Sequence, residues 1–359
     1  MIIIKNIDCS DVKVSTLGPS TFTSLLKGCR YQYMLQHTSN KGKNSTLPSA
    51  KSSSLGTIVH SLFEERTKGG IPDAASFENR WEELVAKEER RIKDAYGLKE
   101  YSLCDYDKMY SAMDTALSLD TWSSSAPGSI SSTSAGISIE SEKKYQTDNL
   151  VGKIDRVEEV AGKITIIDYK TGKVTDEDGN IKEEYETQLN LYAYMYQATN
   201  GVKVDELQIM DIGGARYQVN VWDSAKIAVV LAEVDSLIKA MNDAPGDKST
   251  LASPSDKCAI CSAKMICNAY WVSPYRVAAD EDDPQVVFED MEISITKILG
   301  INDDVAEYMG GRIKGLSRFS FTLGAGKTYR IRGLIKVGEG FDFGALYSTC
   351  GNTIIMELE

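Results

Sequence analysis

Residues 150–170 are the most regular part of the chain, two runs rich in valine and isoleucine. LVGKIDRVEEV and KITIIDYK read as strands, with Ala161-Gly162 as the turn between them. Spacings of three and four predict helices elsewhere. They fall in the first 37 residues, where Leu25, Leu26, Tyr31, Tyr33 and Met34 recur, and over 55–68 with serines ahead as caps. Further helices are expected over 73–120, 183–198 and 224–242, and two short strands within 204–222. From about residue 283 the pattern changes to short β runs punctuated by glycine: RFSFTL, KTYRIRGLIKV, FDFGALYS and NTIIMELE. Residues 38–54 and 122–136 are polar and low in complexity and read as loops, the first made basic by Lys41, Lys43 and Lys51. This is the element order of an α/β protein, with a core in 1–282, a helical insertion at about 73–120, and a small β-rich domain over 283–359.

The turn fixes what the hairpin can do. Opposed residues then have numbers summing to 323, so Val157 faces Ile166 and Asp155 faces Asp168. Two carboxylates about 4.5–5.5 Å apart at Cβ repel each other and call for a cation between them. Lys170, two residues beyond Asp168, shares their face, and Lys153 lies opposite it. Two acids and a lysine around a divalent ion form a constellation suited to phosphodiester cleavage. The ion polarises the phosphate and its water, and the lysine orients or deprotonates that water.

Charge and cysteine content narrow the picture. The 359 residues carry 40 Lys+Arg against 52 Asp+Glu, a net charge of −12, which argues against coating nucleic acid by bulk charge. It leaves room for a metal-dependent protein, whose ligands are themselves acids. No apolar run approaches the ~20 residues of a membrane span. The opening Met1-Ile2-Ile3-Ile4-Lys5 is too short and wrongly flanked for a signal peptide, so a cytoplasmic protein is expected. Seven cysteines in such a chain point to metal, cluster or free thiols before disulfides. Cys258, Cys261 and Cys267 stand at C-x2-C-x5-C, a ligand spacing for zinc or a cluster that needs a fourth donor.

GKIDRVE…IIDYKTGK followed by QLNLY resembles the RecB-like nucleases of the PD-(D/E)XK family, in particular an iron–sulfur subgroup that includes AddB-type nucleases and CRISPR-associated exonucleases. The resemblance covers about residues 17–270. It implies a restriction-endonuclease-like fold, a mixed central sheet flanked by helices, closed by an iron–sulfur clip. Asp155 and Asp168 match its metal-binding acids, Lys170 its catalytic lysine, and Gln188 and Tyr192 its Gln-x-x-x-Tyr helix. Gly56-Thr57-Ile58-Val59-His60 matches the Gly-x-x-x-His setting of a metal-binding histidine, and the main-chain carbonyl of Tyr169 is a further expected ligand. An acid upstream of the first strand is usual, with Glu140 and Glu142 both available. His37 matches nothing.

In that subgroup one cysteine precedes the core and three follow it at this spacing, which implies Cys29 as the fourth ligand of a [4Fe–4S] cluster; Arg30 stands where proline is usual. Zinc at the same cysteines is the alternative. The resemblance implies a Mg²⁺- or Mn²⁺-dependent deoxyribonuclease, a single-strand exonuclease working from a 5′ end in replication, recombination or repair. Its partners would be DNA, single-stranded by preference, and a helicase or other replication or recombination proteins. The other readings are a CRISPR-adaptation exonuclease and a non-cleaving DNA-binding subunit.

Two features lie outside the resemblance. Leu323-Gly324-Ala325-Gly326-Lys327-Thr328 imitates a phosphate loop, but Phe321 occupies the required glycine position and a strand follows, so no ATP site is expected. Residues 311–336 hold Arg312, Lys314, Arg318, Lys327, Arg330, Arg332 and Lys336 without an acid, interleaved with Phe319, Phe321 and Tyr329. That composition suits a DNA- or partner-binding module.

Overall fold

The computed structural model describes residues 2–4, 8–37, 51–67, 70–71, 73–117, 137–279, 287–351 and 353–359. Both expected loops fall largely outside these, at 38–50 and 122–136. The chain opens with strand β1 (Ile2–Ile4), then helices α1 (Pro19–Lys27), α2 (Arg30–Gln36), α3 (Lys51–Thr67), α4 (Ala74–Tyr96) and α5 (Lys108–Leu117). Ser52, Ser53 and Ser54 lie inside the first turn of α3 rather than capping a later start, and the Ser54 hydroxyl bonds Glu88 on α4. α4 shows both end signals: the Asp73 carboxylate accepts the Ser76 N–H, and Gly97 ends the helix in a left-handed conformation.

Strands β2 (Ile137–Gln146), β3 (Val151–Val160), β4 (Lys163–Lys170), β5 (Glu206–Asp211) and β6 (Arg216–Val219) form one sheet in that order. Ala161 and Gly162, both at positive φ, make the two-residue turn between β3 and β4. β4 and β5 are parallel, and the crossover between them is helix α6 (Glu183–Asn200). Glu183, Glu184 and Glu186 place negative charge at its N-terminal end. Helix α7 (Ser224–Asp243) follows β6. Val157, Ile164 and Ile166 pack in the core that contains α6 residues Leu189, Tyr192 and Met195. Ile167 and Tyr169, on the other face, pack with Leu62 and Phe63 of α3, Trp81 of α4 and Met109 of α5. The sheet is thus enclosed between two helical layers, the α/β architecture read from the sequence.

A second sheet comprises β1, β7 (Val277–Ala279), β8 (Val287–Leu299), β9 (Val305–Tyr308), β10 (Gly311–Lys314), β11 (Thr328–Gly340), β12 (Gly344–Ser348) and β13 (Ile354–Leu358). It draws in β1 and β7 from outside 283–359: Ile2, Ile3 and Ile4 pair with Met356, Glu357 and Leu358. Its Ile293, Ile331 and Ile355 share one core with the first sheet's Ile166 and Leu207. RFSFTL, expected as β, is a short turn and irregular chain, because Phe319 and Phe321 dock on the end of α4 at Leu98 and Gly97.

Candidate active site

The β3–β4 ladder runs from Val160 opposite Lys163 to Arg156 opposite Ile167, the register expected from the turn. One step further stand Asp155 and Asp168, and there the main-chain ladder gives way. The Tyr169 N–H donates instead to Asp155 Oδ2 at 2.9 Å. The other side of β3 shows the same interruption. Ser141 pairs with Arg156 and Lys143 with Ile154, but Glu142 between them is skipped and sits at φ 53. A left-handed non-glycine residue inside a strand is strained, by on the order of 1–2 kcal/mol. The strain turns the Glu142 side chain to the site. Three carboxylates, Glu142, Asp155 and Asp168, thereby stand in a row across three strands.

Cations and donors surround that row. Lys153 Nζ lies 2.6 Å from Glu142 Oε2. His60, projecting from α3, places Nδ1 3.4 Å from Asp155 Oδ1. Donor atoms of His60, Glu142 and Asp155 all lie within 4.8 Å of one another, spacing fit for one divalent ion. Asp168, 3% exposed, has its oxygens engaged: Lys170 Nζ is 2.7 Å from Oδ2, and Gln188 Nε2 donates to Oδ1 at 2.9 Å. Lys170 also donates to Gln188 Oε1 at 3.1 Å, closing a ring of three side chains. The Tyr192 hydroxyl stands 3.5 Å from Gln188 Nε2. Gly152 makes room for the Tyr192 ring, since a Cβ there would sit 3.1 Å from it.

Burial raises the Asp168 carboxyl to about 6, against the pull of Lys170 and with the added push of Asp155. Burial also presses the His60 pKa down, but the hydrogen bond and charge of Asp155 outweigh it, leaving the value raised.

The fold therefore gathers His60, Asp155, Asp168, Lys170, Gln188 and Tyr192 in one place. Between the two upstream acids it selects Glu142. Glu140 is turned away and held by Lys143 at 2.8 Å and the Tyr145 hydroxyl at 2.8 Å. The main chain of Tyr169 passes the site, while its ring packs edge-on against Phe63 in the helical layer. His37 stacks on Tyr33, remote from these groups in contact. The sequence did not single out Tyr185, whose ring centroid lies 4.8 Å from Lys170 Nζ; its place three residues before Gln188, on the same helix face, was the available signal.

Cys29, Cys258, Cys261 and Cys267 line one cavity of about 1030 Å³, whose wall also includes Lys170, Tyr185 and Gln188. Cys29 Sγ accepts the Ser253 N–H and Cys258 Sγ the Ser255 N–H, each at 3.4 Å. Burial raises Cys261 to about 11, and the neighbouring thiols add to it.

The basic stretch reads differently in three dimensions. Arg312 pairs with Glu307, Lys327 with Glu357, Arg330 with Glu292 and Lys336 with Glu339. Tyr329 is fully buried and Phe319 is 4% exposed, so neither presents a face for base stacking. The Leu323–Thr328 stretch leads into β11, as its failed phosphate-loop pattern implied.

Among the described residues no helix is long and apolar enough to cross a membrane. No curated protein sequence matches the chain. Among solved structures it is similar to a "Putative exonuclease" from Eubacterium rectale, with 10% identity over 63% of this chain and 82% of that one, at a TM-score of 0.38. A murine DNA binding protein bound with double-stranded DNA matches at 7% identity over 62% of this chain and 96% of that one, at a TM-score of 0.17. Scores this low establish no shared fold. The family comparison is decisive: residues 18–268, which contain the whole carboxylate row and all four clustered cysteines, match the PD-(D/E)XK nuclease superfamily, and the chain belongs to it.

Proposed function

We propose that the protein is a divalent-metal-dependent deoxyribonuclease that acts on single strands, as an exonuclease from the 5′ end. The observation that carries the chemistry is the row of Glu142, Asp155 and Asp168 beside Lys170 and His60. His60, Glu142 and Asp155 hold Mg²⁺ or Mn²⁺, with Asp168 and the Tyr169 carbonyl as further ligands. The bound ion supplies Lewis acidity to the phosphate and acidifies its water. Lys170, held by Asp168 and Gln188, presents its ammonium to the attacking water, and Gln188 and Tyr192 fix that ammonium and the strand beside it.

Cys29, Cys258, Cys261 and Cys267 hold a [4Fe–4S] cluster. The C-x2-C-x5-C spacing of the last three, with Cys29 on the same cavity, supports this reading. Cysteines more than 200 residues apart would then clip the core shut, where loop-closure entropy makes a link most effective. A helicase is the expected partner of such a nuclease.

End-labelled single- and double-stranded DNA, with Mg²⁺ or Mn²⁺ and then with chelator, tests the reading. Wild type should shorten single strands only with metal. Lys170→Ala and Glu142→Gln should lose at least about a hundredfold in rate, and Glu140→Gln should keep most of it. Full activity in Lys170→Ala would remove the assignment.

A further inference from the structure

The cysteine segment is read above as a clip, yet its sulfurs share a cavity with Lys170. We propose that this cavity is the path of the DNA strand, gripped by Lys27 and Lys257, so that the cysteine segment is a wall of the substrate site. The proposal deepens the nuclease reading and rests on it for the identity of the strand.

Three observations carry it. First, the cavity is continuous. It runs from Lys170 and Gln188 to the four cysteines, with a volume of about 1030 Å³ of which a cluster on the cysteines would fill one end. The Lys170 end is left for a single strand, and the whole, at the upper end of the ~300–1,000 Å³ range of ligand sites, is too small for a duplex.

Second, its lining suits a phosphate backbone. Ser20, Ser24 and Lys27 line it from one face of α1, hydroxyls leading to an ammonium. Lys257 arrives from the cysteine segment and its Nζ donates to the Lys27 carbonyl at 3.4 Å. Two cations 230 residues apart in sequence thus meet at one wall, with Lys170 on the same cavity. Glu184 and Asp256 line it too, and the Asp256 Oδ1 accepts the Lys257 main-chain N–H.

Third, the lysines are available. Lys27 is 3.5 Å from Glu183 and 3.9 Å from Glu184, with its side chain 64% exposed. Such a loose surface pair contributes little and exchanges readily for a phosphate. Tyr185 lines the same cavity, with its ring 4.8 Å from Lys170 and 5.5 Å from Lys182, a flat surface beside the cations against which a base can stack.

The test is Lys27→Ala/Lys257→Ala in the full chain, with Ca²⁺ replacing the catalytic ion so that binding is read without cleavage. The probe is a fluorescent oligothymidine, followed by anisotropy across a salt series. Both side chains are exposed, and unchanged melting curves verify the fold. The double variant should bind about tenfold more weakly, with the slope of log affinity against log salt reduced by about 1.4, or 0.7 for each lost contact. Cleavage of the p-nitrophenyl ester of thymidine 5′-monophosphate by the wild-type protein, which needs only the Lys170 end of the cavity, checks the nuclease reading separately. Unchanged affinity and slope would overturn the path, even with nuclease activity intact. Loss of binding in a protein that cleaves neither substrate would sustain the path and remove the nuclease reading instead.

Discussion

At the scale of single residues, the site stores like charge in a buried place, and that has a pH signature. Asp168 is raised from 3.8 to about 6, chiefly by burial, and His60 is raised above 6.5 because Asp155 outweighs its burial. Both shifts have one sign. A group with a raised folded pKa adds stability below its unfolded value and loses it as pH climbs through the folded one. Glu88 and Glu140 are lowered from 4.5 by Arg91 and Lys143, so their contribution fades only in more acidic solution. Chelated protein should therefore lose stability between about pH 4 and 6 through Asp168, by at most about 3 kcal/mol at 1.36 kcal/mol for each pKa unit, and lose more above 6.5 through His60. Thermal melts in chelator from pH 4.5 to 8 check this. Asp168→Asn should flatten the lower part of the slope. Added Mn²⁺ should stabilise more at high pH, since its ligands must give up their protons. A variant that keeps the wild-type slope would show that Asp168 ionises without cost.

At the scale of elements, local signals were legible and non-local ones were not. The β3–β4 register followed from Ala161-Gly162 alone, because a two-residue turn fixes every pair beyond it. Helices α4, α6 and α7 carried their own periodicity and end signals. Glu142 could not be chosen over Glu140 from sequence, because the choice depends on a left-handed residue that no local pattern marks. Nor could the partners of the second sheet be read. Strand parity does place Arg330 and Arg332 on one side of β11 and Tyr329 on the other, though not what each side meets. Tyr329 points into the core, while Arg330 reaches the cysteine segment. There it donates to the Met265 carbonyl at 2.8 Å and Asn268 at 2.7 Å, with its guanidinium over Trp271.

β8 fastens the same segment. Asp290 accepts from Lys264 at 2.6 Å and the Tyr270 hydroxyl at 2.8 Å, and Lys264 and Asp290 are 4% and 5% exposed. Removing one member of a buried pair strands the other charge, which typically costs 3–5 kcal/mol, whereas removing both together is often mild. Asp290→Ala should thus destabilise by about 3 kcal/mol in denaturant unfolding, and adding Lys264→Met should recover most of it. The thiols of Cys261 and Cys267, which flank Lys264, should react faster in the single variant than in the double. A single variant within about 1 kcal/mol of wild type would mean that the second sheet does not fasten the cysteine segment.

At the scale of the whole molecule, the second sheet is wired into the nuclease core at several points, and that decides how the protein unfolds. The first strand of the chain pairs with the last, β1 with β13. The cysteine segment is fastened by β8 and β11, and apolar residues of both sheets belong to one core. Deleting 283–359 therefore takes away the partner of β1 and Asp290, the counter-charge of Lys264. It also opens the core beneath Tyr270 and Trp271, which are 2% and 6% exposed. The remaining chain keeps the carboxylate row and all four clustered cysteines, yet it should fail to fold cooperatively. Full-length protein should unfold in one transition. Trp81 lies in the helical layer around α3 and α4 and Trp271 beneath the second sheet, so single-tryptophan variants report on distant parts. Their fluorescence midpoints in denaturant should coincide with each other and with circular dichroism. Two separated midpoints, or a soluble 1–282 fragment with a cooperative melt, would show that 283–359 is an independent module.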